Sequence, residues 1–141
     1  MENIIWKTDS CKMYMKFDNN IDESTPTPCA FFVIGVEYKL LSGIGGELLC
    51  RAEDSFSMLS GRFLSDLGRL INSYEPKQLR IQDDLADTDG YILFDCKPSC
   101  IEVSGQLGSL VCRDIMLKFS FTADASLLLN LYEVLEKNTI Y

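Results

Sequence analysis

Histidine is absent from all 141 residues of this chain. That removes the commonest general base at neutral pH and the commonest imidazole ligand for a metal. Basic residues are also scarce: 13 Lys and Arg stand against 21 Asp and Glu, a formal net charge of −8, and no two basic residues are adjacent. A phosphate-binding surface needs a basic stripe, so nucleic acid is excluded as a partner, and the same field repels anionic membrane. Long apolar runs are missing too. The longest, Cys29 to Val36, is far short of the roughly 20 residues of a spanning helix. The start Met1-Glu2-Asn3-Ile4-Ile5-Trp6-Lys7 has no basic region followed by a long apolar run, so no secretory leader is expected and the chain is placed in the cytoplasm.

What is present suits one globular domain over 1–141, with 47% apolar and 24% charged residues. Six cysteines, at 11, 29, 50, 96, 100 and 112, lie mostly in apolar segments and read as reduced structural thiols. Met13, Met15 and Phe17 alternate with Lys12, Tyr14 and Lys16, the period of a half-buried strand with the second set outward. A short edge strand over 4–7 precedes it, and a polar loop with two prolines, 18–28, follows. Cys29 to Leu40 predicts a buried strand, and Glu47 to Glu53 its hairpin partner across a glycine-rich turn. Phe56, Leu59, Phe63, Leu64, Leu67, Leu70, Ile71 and Tyr74 recur at spacings of three and four. This predicts a helix over 56–74, capped by Asp54 or Ser55 and stopped by Pro76, with Gly61 and Gly68 admitting a strand on one face. Strands follow at 79–82, 91–95, 99–104 and 111–121, then a helix over 124–137 capped by Thr122 or Asp124. The expected fold is α+β: two layers, a mostly antiparallel sheet of six to eight strands, and two amphipathic helices on one face.

Chemical motifs are few. Cys96 and Cys100 have a zinc-knuckle spacing, but no second pair completes four ligands. In the acidic stretch 83–90, the calcium-loop register set by Gly90 puts Leu85 and Cys96 at ligand positions that neither can fill. No metal or cofactor is expected. Serine and cysteine are plentiful, but no histidine activates them, and Gly43, Gly45 and Gly46 precede a strand rather than a helix. The chain is therefore not expected to be an enzyme. Acidic residues cluster instead: Asp18, Asp22 and Glu23 in one loop, Glu53 and Asp54 at the predicted helix start, and Asp83, Asp84, Asp87 and Asp89 in another loop. One reading is solubility and helix-dipole complementarity; the other is a surface complementary to a cationic protein, with Tyr91 as its apolar anchor.

The stretch Glu47 to Tyr74, with Glu53-Asp54 leading into Phe56 through Leu59 and an amphipathic helix, resembles the strand-to-helix passage of WapI-type immunity proteins of bacterial contact-dependent and polymorphic toxin systems. Ile115 to Leu135 resembles that family's aromatic-rich strand and leucine-rich helix. The chain departs from the family at Ser55, where a proline is usual. The resemblance implies an immunity protein that binds a cognate toxin domain, a basic nuclease by class, and neutralises it by occlusion. The alternative is a non-catalytic adaptor or regulatory module, and a histidine-free hydrolase stands third. A monomer is favoured.

Overall fold

The structure, a computed structural model, describes residues 2–17, 29–41, 47–73, 78–82, 90–108 and 116–138. The chain runs β1 (Asn3–Lys7), β2 (Cys11–Phe17), β3 (Cys29–Leu41), β4 (Glu47–Leu59), α1 (Ser60–Ser73), β5 (Gln78–Gln82), β6 (Tyr91–Cys96), β7 (Ile101–Gly108), β8 (Met116–Ala123) and α2 (Ser126–Asn138). This is the expected α+β class with eight antiparallel strands, partitioned into two sheets of four, β1-β2-β3-β4 and β5-β6-β7-β8. Both helices pack on strands: α1 on β3, β4 and β5, and α2 on β1 and on α1.

Alternation decides which side chains meet. Cys11, Met13 and Met15 of β2, Phe32, Ile34 and Val36 of β3, and Ala52 and Phe56 of β4 face inward. Ile81, Ile92, Phe94, Ile101, Val103 and Leu107 do the same in the second sheet. They join Leu67 and Leu70 of α1 and Leu127, Leu128, Leu131 and Leu135 of α2 in one core. Each fully buried side chain of this size contributes about 1.5–3 kcal/mol.

The first helix begins later than its apolar spacing predicts. β4 continues to Leu59, paired with β3 without a break from Leu41↔Glu47 to Cys29↔Leu59. Asp54 and Ser55 are therefore strand residues and cap nothing, and Phe56 stacks on Phe32 across the ladder at 5.8 Å. Ala52-Asp54-Phe56 satisfies a period of two while Phe56-Leu59-Phe63 satisfies the helical one; the hydrogen bonds offered by β3 settle the choice. Gly68 faces Tyr132 of α2, which a Cβ there would meet at 3.8 Å, rather than a strand. At the second helix Asp124 is the cap, its Oδ1 accepting the Ser126 N–H at 2.8 Å, while Thr122 belongs to β8.

Candidate functional site

Tyr14 lies on the strand face that alternation assigns to solvent, yet it is fully buried. The cause is two strands away in sequence and adjacent in space. Tyr14 stands opposite Gly35, which stands opposite Glu53. The ring lies on Gly35 so closely that a Cβ there would overlap it. Glycine inside a strand marks such close approaches. The Tyr14 hydroxyl donates to Glu53 Oε2 at 2.5 Å and accepts from Arg51 Nε at 2.6 Å. Three cations surround the ring, with Arg51 4.8 Å, Lys12 5.4 Å and Lys16 5.5 Å from its centroid.

Three carboxylates answer them. Lys16 Nζ meets Glu53 at 2.8 Å, Arg51 Nη2 meets Glu2 at 2.6 Å, and Lys12 Nζ lies 3.3 Å from Glu2 and 3.8 Å from Glu37. Burial raises the Glu53 pKa, but hydrogen bonds from Lys16 and Tyr14 and the charges of Lys16 and Arg51 outweigh it and hold the carboxyl below its ordinary value. Burial, reinforced by the bond to Glu53, pushes the Tyr14 hydroxyl well up, so it stays protonated. A neutral phenol and a balanced set of ions offer neither a base nor a nucleophile. Sequence reasoning missed this network because the alternation set Tyr14 outward; the glycine at the centre of an apolar strand was its one signal.

The other predicted site residues separate into groups. Glu53 belongs to the Tyr14 network. Asp54, one residue on, points the other way, toward the second sheet. Its Oδ2 accepts the Gly108 N–H at 2.7 Å, and a Cβ on Gly90 would overlap its carboxylate. Burial raises its pKa, against the Gly108 bond. Tyr91 lies half-buried beneath Arg80, whose guanidinium carbon is 4.2 Å from the ring centroid. Asp18, Asp22, Glu23, Asp83, Asp84, Asp87 and Asp89 lie outside the described residues.

Their points of attachment are described. Phe17, from which 18–28 departs, stands level with Phe32 and Phe56. Asp54, two residues from Phe56, touches Gly90, where 83–89 joins β6. These two stretches hold seven acidic residues and no basic one, so the rest of the chain is nearly balanced, at fourteen acidic against thirteen basic side chains.

Cys11, Cys50, Cys96 and Cys100 are free thiols; the Cys29 side chain and Cys112 are outside the described residues. Cys96 and Cys100 border a groove of about 300 Å³ beneath the β6–β7 turn, closed by Leu70, Ile71, Ile101 and Leu128. Burial and the neighbouring Asp95 raise the Cys96 pKa, which leaves it a poor thiolate. Among the described residues no three His, Cys, Asp or Glu side chains are placed to hold a metal, and no helix is long and apolar enough to cross a membrane. No protein-family model, curated protein or solved structure matches this chain.

Proposed function

We propose that this chain is an immunity-type binding protein that neutralises a basic toxin domain by covering its cationic surface. The observation that carries the reading is where the two acidic stretches join the body: 18–28 leaves from Phe17, level with Phe56 across β3, and 83–89 joins at Gly90, against Asp54 and beside Tyr91. Seven of the eight excess negative charges belong to these two segments, on an otherwise balanced molecule. Such a concentration speeds capture of a cationic partner by about 10- to 10³-fold, while a few buried contacts set the lifetime of the complex. Tyr91, stacked under Arg80 with part of its surface exposed, suits the role of such a contact, since Tyr and Arg dominate interface energies. The resemblance of 47–74 and 115–135 to WapI-type immunity proteins agrees with this reading.

The reading expects a basic toxin domain encoded beside this chain's gene, and the test uses that domain; a gene neighbourhood without one counts against the reading. Replacing Asp83, Asp84, Asp87 and Asp89 together by lysine should slow association at least tenfold at low salt and flatten its salt dependence, with the circular dichroism spectrum unchanged. Association at the wild-type rate would reduce the acidic stretch to a solubilising one. Turnover of esters or phosphodiesters by the pure protein would favour the hydrolase instead.

A further inference from the structure

Each sheet has two outer strands, and three of these four edges are blocked. β1 carries a bulge at Ile5, whose carbonyl accepts from Asn130 Nδ2 of α2 at 2.9 Å. β4 carries four charged residues, Glu47, Arg51, Glu53 and Asp54, and meets β7 around Asp54, which accepts the Gly108 N–H. β5 has five residues and packs against α1. β8 differs. Its eight residues pair with β7 in unbroken register from Ile101↔Ala123 to Gly108↔Met116. It has no proline and one charged side chain, Lys118. Among the described residues β7 is its one extensive backbone neighbour, while Leu117, Phe119 and Phe121 lean on the core, with Phe121 6.4 Å from Tyr38. Its inward row stays incompletely covered: Leu117, Phe119 and Phe121 are each half-buried, with Phe119 and Phe121 stacked at 6.2 Å. A long, regular edge with a single charge is a template for another strand.

We propose that β8 pairs antiparallel with β8 of a second copy of this chain, joining the two second sheets into one of eight strands. The β8 sequence favours its own copy as occupant. Opposed residues in an antiparallel pair share a face, so the two-fold axis must pass through a residue position. An axis at Lys118 sets two cations against each other. An axis at Ser120 sets Phe119 against Phe121, Leu117 against Ala123 and Lys118 against Thr122, which matches apolar with apolar and leaves no like charges opposed. The interface is then isologous. A single strand ladder is a small interface, so the dimer is weak and concentration-dependent. Because each copy carries a net charge of −8, added salt strengthens it.

Sedimentation velocity across protein concentration and sodium chloride tests this on the full chain. The wild type should shift from monomer to dimer with rising concentration, more readily at high salt. Ser120 and Thr122 are exposed, so substitution there leaves the fold intact, which circular dichroism verifies. S120K places two lysines at the axis and should raise the dimer dissociation constant about tenfold or more. T122K should weaken the dimer by setting lysine against Lys118, and T122E should tighten it. A wild type that stays monomeric throughout overturns the proposal. So does a dimer whose affinity S120K and both Thr122 variants leave unchanged, which would place the interface on another surface.

Discussion

The hydroxyl of Tyr14 holds one acidic and one basic partner at once, Glu53 and Arg51, and both depend on its staying neutral. Its ring in turn roofs Gly35. These two roles are separable. Tyr14→Phe keeps the roof and removes the hydroxyl, which leaves Glu53 on Lys16 and Arg51; urea denaturation should show a loss of about 1–3 kcal/mol. Tyr14→Ala removes the roof as well and should cost about 3–5 kcal/mol. Equal losses for the two would mean that the ring's packing adds nothing to stability. At the same scale Asp54 was legible as an acidic residue and illegible as a bridge. Its slot consists of two missing side chains, at Gly90 and Gly108, both remote in sequence.

At the scale of elements, α2 and the strands β6 and β7 follow their local patterns closely. In each, one periodicity is uncontested: Leu127, Leu128, Leu131 and Leu135 fit only a helix, and the buried Ile101, Val103 and Leu107 only a strand. The junction of β4 and α1 does not, because Phe56 fits both periods and a partner strand decided between them. Gly68 lies within α1, half-buried, with room for a Cβ at 3.8 Å from Tyr132. Gly68→Ala should therefore stabilise the domain by about 1 kcal/mol, seen as a higher denaturation midpoint. Destabilisation would show that the helices sit closer together than this spacing.

For the whole molecule, two neighbouring carboxylates on β4 give opposite pH dependences. Glu53 has its folded pKa below the ordinary 4.5, so the stability it contributes is present above that pH and lost as pH falls through the folded value. Asp54 has its folded pKa above 3.8, so its contribution is present below that pH and lost as pH rises through the folded value. Glu2, in the same network, is held below its ordinary value too, so denaturation midpoints should fall below about pH 4.5. Glu53→Gln should flatten that fall. Asp54→Asn, which keeps an acceptor for the Gly108 N–H, should raise stability at neutral pH and leave the acid limb steep. A lower neutral stability for Asp54→Asn would show that the negative charge itself holds the two sheets together.

By itself the amino-acid order determined the α+β class, a count of six to eight mostly antiparallel strands, the second helix with a cap at Thr122 or Asp124, and the clustering of acidic residues at 18–23, 53–54 and 83–89. Those properties depend on neighbours within a few residues or on sums over the chain, so local periodicity and composition express them. Tertiary structure decided the partition into two sheets, the length of β4, the burial of Tyr14 and the inward turn of Asp54. Each of these depends on what stands opposite: Gly35 under a ring, β3 beside a strand, Gly90 and Gly108 around a carboxylate. A cross-strand neighbour 18 or more residues away leaves no trace in local spacing, since only the completed ladders bring it within a few ångströms.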